Sequence, residues 1–171
     1  MSVADRSIDP RIIESAKEEF LQKGFLDASL QEICKNAGVT TGALYKRFKG
    51  KEELFCALVE STVQDLEEVV RQKSVLPATL TDEQLKKAWD MDREYMQWWF
   101  DYLYDRYDEM RLLLVFSDGT KYANFEHEWV EGMSHTTYAY YKEAQRRGLT
   151  KTDISEKEMH VMLSSFWTAI C

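Results

Sequence analysis

The sequence contains few of the residues that interrupt helices or cross-link a chain. Among 171 residues there are two prolines and seven glycines, and few stretches alternate β-branched and polar residues as half-buried strands do. These shortages predict an all-α fold. The three cysteines, Cys34, Cys56 and Cys171, are an odd number at wide spacing and form no CxxC pair, which argues against a zinc ribbon and a disulfide framework.

Long apolar runs and catalytic signatures are missing as well. No run of 18 apolar residues is present, so we expect no membrane-spanning helix and no membrane partner. The first ten residues, MSVADRSIDP, contain no apolar segment of a secretory signal, and the G-x-S-x-G and P-loop motifs are absent. We therefore expect a cytoplasmic protein that is not an enzyme and uses no cofactor or metal. Its apolar fraction of 44% suffices for a packed core.

The stretch from Ser29 to Lys51, SLQEICKNAGVTTGALYKRFKGK, has the pattern of two short helices joined by a tight turn. Ser29 and Glu32 are spaced as a capping box, in which each side chain accepts the backbone N–H of the other residue. Gly38 lies where a helix end favours a positive φ, and Thr40 can cap the next helix. Two helices across a short glycine-containing turn form a helix-turn-helix, whose second helix can enter the major groove of DNA.

Positive charge is concentrated in the same stretch. Between Lys35 and Lys51 there are five cations and no acid. Residues 1–51 contain nine Lys or Arg and seven Asp or Glu, a net of +2, whereas the whole chain is −8, so residues 52–171 carry −10. A positive field confined to one region of an acidic protein favours a dedicated surface for a polyanion. The alternative is that these lysines form an ordinary solvated surface.

Residues 10–55 resemble the DNA-binding domain of the TetR/AcrR family of transcriptional regulators. The resemblance covers about a quarter of the chain. It rests on the spacing of Ile12, Ile13, Ala16 and Phe20, of Gly24 and Phe25, of Ser29, Ile33, Ala37, Gly38 and Val39, of Thr41-Gly42-Ala43-Leu44-Tyr45 and Phe48, and of Lys51-Glu52-Glu53-Leu54. Gly50 is a departure, because members commonly have Ser or Pro before the lysine, but glycine is an acceptable N-cap.

The resemblance implies a ligand-responsive, DNA-binding transcriptional regulator. In this family such a protein is usually a repressor that a small molecule releases from a palindromic operator. It implies a homodimer bound to double-stranded DNA. It also implies a three-helix DNA-binding head with the helix-turn-helix at residues 1–50, and a helical ligand-binding and dimerisation body at residues 51–171.

By the same resemblance, the residues at the DNA are Ser29, Thr40, Thr41, Gly42, Tyr45, Lys46 and Lys51. Of these, Thr40, Thr41, Gly42 and Lys46 would meet base edges. Tyr45 and Lys51 would contact phosphates, with Ser29 close to the DNA backbone. Leu44 is assigned to the core, and Arg47 either contacts phosphate or is solvated.

Helical spacing predicts further helices over residues 51–73, 81–107, 121–147 and from 155 onward. Capping boxes are expected at Thr81–Gln84 and at Ser155–Glu158. The last helix ends at Cys171 on an apolar stripe, without a cap or a polar tail. We therefore expect that the sequence lacks a C-terminal segment of the body.

Aromatic residues are concentrated in residues 81–171, which contain 17 of the 22. Such rings are typical of packed cores and dimer interfaces, and also of ligand cavities between helices. The second interpretation predicts an aromatic or apolar effector in a pocket lined by Trp89, Tyr95, Trp99, Tyr102, Phe125, Trp129 and Tyr140. Carboxylates such as Glu128 or Glu131 beside the rings would suit a cationic effector through cation–π attraction.

Two other classes of function remain open. His127 and His135 are eight residues apart, close to two helical turns, so a metal-dependent enzyme could use them with nearby glutamates. The stretch from His127 to Glu131 is not an HExxH motif, however, because its fifth residue is glutamate. The other alternative is a helical interaction module whose aromatic stripes bind a partner protein, with the basic patch incidental.

Overall fold

The structure, a computed structural model, describes residues 8–77, 79–88 and 92–170, so that Trp89 and Cys171 lie outside the described residues. Over these ranges the chain forms nine α-helices and no strand, which confirms the predicted all-α fold. The helices are α1 (Ile8–Asp27), α2 (Leu30–Ala37), α3 (Thr41–Tyr45), α4 (Lys51–Lys73), α5 (Asp82–Lys87), α6 (Arg93–Asp105), α7 (Tyr107–Val115), α8 (Phe125–Arg146) and α9 (Glu156–Ile170). None of the described helices is both long and apolar enough to span a membrane.

The chain folds into two compact units. The first unit contains the residues up to Gln64 together with Leu103–Phe125, and the second contains Asp65–Tyr102 together with the residues from Glu126 onward. Helix α4 contributes to both, since the unit boundary falls after Gln64. The boundary at residue 50 between a DNA-binding and a regulatory domain concerns function, and it stays a prediction.

Three phenylalanines form the centre of the first unit. The rings of Phe20 and Phe25 each meet the Phe55 ring edge-on, at centroid distances of 5.2 and 5.6 Å, an arrangement that the charge distribution of aromatic rings favours. The core of the head forms around these rings, and Leu30 and Phe48 lie half-buried at its edge. The other buried side chains of α1 to α4 in this core include Ile12, Ala16, Ile33, Ala37, Leu44 and Leu54.

A segment far along the sequence completes the first unit. The backbone N–H of Phe25 donates to the carbonyl of Phe116 at 3.1 Å, and the Tyr122 hydroxyl donates to the Glu60 carboxylate on α4 at 2.7 Å. Gly119 has a φ of 85°, a left-handed conformation that favours glycine, and an added Cβ would lie 2.5 Å from the Leu26 side chain at the end of α1. The connection after α7 is therefore part of the unit that contains the helix-turn-helix.

The second unit brings α8 against α4 and α9. A Cβ added at Gly132 would lie 3.4 Å from the Val70 side chain on α4, so the glycine in the middle of α8 permits a close approach of the two helices. On the other side, the Ser134 hydroxyl lies 3.2 Å from Nδ1 of His160 on α9.

The prediction of one helix over residues 81–107 is wrong, because α5 and α6 are separate helices. The Asp92 carboxylate accepts the backbone N–H of Tyr95 at 2.8 Å. This is the contact by which an N-cap begins a new helix.

The predicted helix over residues 121–147 begins later, at Phe125. The Thr120 hydroxyl accepts the backbone N–H of Tyr122 at 3.0 Å and donates to the Ser117 carbonyl at 2.7 Å. These local hydrogen bonds hold the chain in a turn before the helix starts.

Two of the three predicted capping boxes are confirmed. The Thr81 hydroxyl accepts the N–H of Gln84 at 3.2 Å, and the Gln84 side chain accepts the N–H of Thr81 at 2.9 Å. Ser155 and Glu158 exchange the same two hydrogen bonds, at 3.3 and 2.7 Å. Helices α5 and α9 therefore begin as the sequence predicts.

At Ser29 the predicted capping box is wrong in one half. The Ser29 hydroxyl accepts the N–H of Glu32 at 3.5 Å, but the Glu32 carboxylate pairs with Lys35 instead of returning to Ser29. The N–H of Ser29 donates to the carboxylate of Glu19 on α1 at 3.0 Å, and the Lys23 ammonium donates to the same oxygen at 2.8 Å. Helix α2 is thus anchored by a residue of another helix.

Glu19 is a buried anion, only 5% exposed. Burial raises the pKa of its carboxyl, but the hydrogen bonds from Lys23 and from the Ser29 N–H outweigh that effect, and the net pKa is lowered. The carboxylate therefore stays charged inside the first unit because its donors are fixed in place.

Glu19→Ala should lower the free energy of unfolding by about 1–3 kcal/mol, because it leaves the Ser29 N–H without its acceptor. The contribution should also depend on pH. Since the folded pKa lies below the unfolded value of about 4.3, the stabilisation is present above that value and is lost as the pH falls through the folded pKa. Urea denaturation at pH 7 and in acid measures both effects.

The control for this experiment is Glu18→Ala, which removes an exposed glutamate from the same helix. It should change the urea midpoint little at either pH. Equal midpoints for the two variants would show that Glu19 does not anchor α2.

Candidate nucleic-acid interface

The turn between α2 and α3 has the geometry that the sequence predicts. Gly38 has a φ of 66°, a left-handed conformation that residues with a Cβ rarely adopt. Its N–H donates to the carbonyl of Lys35 at 3.1 Å, which closes the end of α2. The Thr40 hydroxyl accepts the N–H of Ala43 at 3.2 Å, so α3 begins at the predicted cap.

Helix α3 presents most of its residues to solvent. Leu44 is fully buried, which confirms its assignment to the core. Tyr45, the next residue, is 56% exposed. The residues with exposed side chains or backbone at α3 are Thr40, Thr41, Gly42, Tyr45 and Lys46. This surface combines small polar groups, one phenol and one ammonium, and it contains five of the seven residues predicted to contact DNA.

Lys51 has a structural role in addition to the predicted phosphate contact. Its ammonium donates to the carbonyls of Leu26 and Ala28 at 2.8 and 3.0 Å and lies 4.8 Å from the centroid of the Phe25 ring. An ammonium has three donors, so one is left for a phosphate oxygen. Lys51 therefore joins the start of α4 to the connection between α1 and α2, a role that the sequence did not reveal.

Ser29, the remaining predicted DNA residue, is half-buried at the start of α2. Its N–H and its hydroxyl both make hydrogen bonds inside the first unit. Glu19, its partner, was missed by sequence reasoning because it is ten residues away on another helix. One feature of the sequence could have indicated this role, because Glu19 is a charged residue directly before Phe20, which lies on the apolar stripe of α1.

The cations around α3 differ in whether their side chains already bind another group of the protein. Lys35 is 3.1 Å from the Glu32 carboxylate, and an Arg47 Nη1 donates to the carbonyl of Ala43 at 3.1 Å. Within the described part of the chain, Lys46 and Lys49 make no ion pair. Their charges are the ones most available to a polyanion at this surface.

Four of the seven predicted ligand-pocket residues come together in the second unit. The Trp99 ring on α6 lies 6.4 Å from Tyr95 and 6.1 Å from Tyr102. It also lies 6.4 Å from the Trp129 ring on α8. These contacts form an aromatic cluster between α6 and α8.

The other three predicted pocket residues have different places. Trp89 lies outside the described residues. Phe125 is buried in the first unit, where its ring meets Tyr122 edge-on at 6.5 Å. Tyr140 is half-buried on α8.

The aromatic cluster continues into α9 through a residue that was not among the predicted seven. The Trp129 ring lies 5.7 Å from the ring of Trp167, and both residues are buried. Helical spacing could have indicated that Trp167 is buried, because it follows Met159 by eight residues and Leu163 by four on an apolar stripe.

A polar cleft of about 460 Å³ lies beside α8 and α9 in the second unit. One carboxylate of the cleft, Glu156, lies 2.9 Å from Nδ1 of His135. Among the described residues, no three His, Cys, Asp or Glu side chains are placed to hold a metal ion. The residues that line the cleft are Glu128, Glu131, Gly132, Ser134, His135, Glu156, Lys157 and His160. The cleft thus contains Glu128 and Glu131, but none of the predicted rings.

Comparison with known proteins gives its strongest match in the first four helices. Residues 12–58 match the family described as bacterial regulatory proteins, tetR family. The chain is 46% identical over 57 residues to the HTH-type transcriptional regulator SrpR of Pseudomonas putida, a match that covers 33% of this chain and 27% of that protein. Among the first curated relatives the matched stretch spans 25–42% of their length.

Solved structures share the fold over nearly the whole chain. A member of the TetR transcriptional regulator family from Streptomyces coelicolor A3 has a TM-score of 0.64 at 19% identity, over 93% of this chain and 74% of that one. The transcriptional regulator FadR from Bacillus subtilis, in complex with stearoyl-CoA, has a TM-score of 0.55 at 19% identity, over 95% and 82%. At such identities the likeness establishes the fold. With the helix-turn-helix geometry, the match over residues 12–58 shows that this stretch is a DNA-binding domain of the tetR family, and the rest of the chain is similar in fold to solved members of that family.

Proposed function

We propose that this protein is a ligand-responsive transcriptional repressor that a small molecule releases from a palindromic DNA operator. The observation that carries the proposal is the exposed surface of α3. Its polar side chains and Lys46, which makes no ion pair within the described residues, follow a glycine turn of the required geometry. An element of this size and polarity fits the major groove, where base edges are read.

The roles at the DNA follow from chemistry and position. Thr40, Thr41 and Lys46 reach base edges, and Gly42 allows a close approach of the backbone. Tyr45 and the third donor of Lys51 contact phosphates. Ser29 lies near the DNA backbone but holds its own hydrogen bonds within the fold.

A palindromic operator requires two copies of the head, about 34–36 Å apart. A surface on α9 favours such a homodimer. Met162 and Phe166 are four residues apart, so they share one face of the helix, and both are exposed, as is the neighbouring Val161. Apolar side chains grouped on an exposed helix face are typical of an interface between subunits.

The proposed effector is an aromatic or apolar molecule that binds at the aromatic cluster of the second unit, around Trp99 and Trp129. A fold that also occurs in a regulator solved with stearoyl-CoA supports an effector site in this body. A cationic effector is the second possibility, and the carboxylates of Glu128 and Glu131 in the polar cleft favour it.

Control by a ligand requires that the ligand distinguish two states of the protein. A ligand that changes the direction of α4 would change the spacing of the two heads on the operator. Release from DNA by about 100-fold needs a coupling free energy of ~2.7 kcal/mol, within the usual range for allosteric proteins. Bacterial chromosomal DNA lies in the cytoplasm, so the proposal implies a cytoplasmic protein. A repressor of this kind binds DNA and a ligand without converting either, so the proposal also implies a protein that is not an enzyme.

Selection from random duplex DNA, followed by sequencing, should recover one palindromic motif with half-sites about 10–10.5 base pairs apart or a multiple of that spacing. Binding should weaken steeply from low to moderate salt, because each phosphate contact releases counterions. Recovery of no motif, with binding that is weak and insensitive to salt, would remove the repressor proposal and favour a protein-interaction module.

Lys46→Ala and Lys51→Ala should affect binding to the selected DNA in different ways. Lys46→Ala should relax the preference at one position of each half-site by about 1–3 kcal/mol, whereas Lys51→Ala should weaken binding about equally on all sequences. Lys51→Ala should also lower the slope of log K against log salt by about one. Fluorescence anisotropy with single-base operator variants measures both quantities.

Lys87→Ala is the charge-matched control, since Lys87 is exposed on α5 and the variant removes the same charge from the second unit. Because Lys51 also donates to two carbonyls, urea denaturation must show that its variant is folded under the binding conditions. Uniform weakening by both the Lys46 and the Lys51 changes would mean that Lys46 contacts phosphate rather than a base.

A further inference from the structure

Three tryptophans from three helices form a continuous chain of rings in the second unit. The Trp99 and Trp129 rings are 6.4 Å apart at 67°, and those of Trp129 and Trp167 are 5.7 Å apart at 50°. Trp99 on α6 is half-buried, whereas Trp129 on α8 and Trp167 on α9 are only 6% and 8% exposed. The part of this tryptophan chain formed by Trp129 and Trp167 is therefore buried, with one indole ring packed against the other.

The indole N–H of Trp167 is a buried donor without an acceptor. Over residues 8–77, 79–88 and 92–170, no oxygen or nitrogen accepts a hydrogen bond from its Nε1. Buried donors are nearly always paired, and leaving one unpaired lowers stability. Each such group in a folded protein therefore calls for an explanation, and a bound acceptor is one of them.

A water molecule is a poor partner for this donor. An ordered buried water typically makes about three hydrogen bonds, and the contact described for the Trp167 ring is with another indole, that of Trp129. An anionic acceptor is poor as well, because a carboxylate buried among rings without a cation loses its hydration without compensation. A neutral oxygen on an apolar molecule satisfies the donor and fills the apolar surroundings at once.

We propose that Trp167 determines the specificity of the effector site, by donating its indole N–H to a neutral carbonyl oxygen of an aromatic or apolar effector seated against Trp129. This inference rests on the proposed ligand-binding body and narrows the chemistry of its ligand. It adds a residue outside the predicted pocket set, and it selects a neutral, acceptor-bearing effector over a cationic one.

Three naphthalene probes of almost the same shape test the chemistry by isothermal titration calorimetry of the full chain. 2-Acetylnaphthalene carries a neutral carbonyl, 2-isopropenylnaphthalene replaces that oxygen by CH₂, and 1-(2-naphthyl)ethylamine carries an ammonium at neutral pH. The ketone should bind about tenfold more tightly than the alkene, the effect of one hydrogen bond to a buried donor. It should also bind more tightly than the amine.

Trp167→Phe keeps an aromatic ring and removes the N–H, so it should abolish the preference for the ketone over the alkene. The matched control is Trp98→Phe, which removes an indole N–H from a residue that is 48% exposed on α6 and should preserve the preference. The carbonyl stretch of bound 2-acetylnaphthalene gives a second readout. It should shift to lower frequency in the wild type and in Trp98→Phe, and it should not shift in Trp167→Phe.

The inference is overturned if no probe binds the wild type up to its solubility, if the amine or the alkene binds as tightly as the ketone, or if Trp167→Phe keeps both the preference and the stretch shift. These measurements contain no DNA, so they separate this inference from the proposed function. A protein that selects a palindromic operator yet shows no ketone preference remains a repressor with a different effector chemistry. One that prefers the ketone and selects no operator keeps the ligand site and loses the repressor function.

Discussion

The connection between α1 and α2 is the point on which the first unit depends. Within residues 26–29, the Lys51 ammonium holds the carbonyls of Leu26 and Ala28, and the buried Glu19 carboxylate holds the N–H of Ser29. Each of these hydrogen bonds has a charged partner, and such bonds are stronger than bonds between neutral groups. They fix the end of α1 and the starts of α2 and α4 relative to one another. The position of α3 then follows from the left-handed Gly38 and the Thr40 cap.

This arrangement separates the charges that hold the fold from those that remain available at the surface. Glu19, Lys23 and Lys51 are engaged inside the unit, whereas Lys46 lies exposed at the end of α3. The unit also needs residues far from the helix-turn-helix, because the segment from Phe116 to Tyr122 donates to and accepts from α1 and α4. The matched stretch of residues 12–58 is therefore shorter than the compact unit that contains it.

Local signals in the sequence predicted local structure well. The Gly38 turn, the Thr40 cap, the boxes at Thr81 and Ser155 and the bounds of α4 depend on residues within a few positions of one another, and all are confirmed. The errors arose where a distant group competes with a local one. Glu19 replaces Glu32 as the partner of the Ser29 N–H, and the Asp92 cap divides a stretch whose apolar spacing predicted one helix. Trp167 was missed because helical spacing assigns its ring to the apolar face of α9 but does not show which ring of another helix it contacts.

The central claim is that α3 reads the major groove as one of a symmetric pair. Dimethyl sulfate footprinting on the selected duplex tests this directly, because the reagent methylates guanine N7 in the major groove and adenine N3 in the minor groove. The account predicts protection of guanine N7 in two patches related by the symmetry of the motif, with adenine N3 between them left reactive. Protection of adenine N3 alone, or of a single patch, would contradict a dimeric major-groove reader.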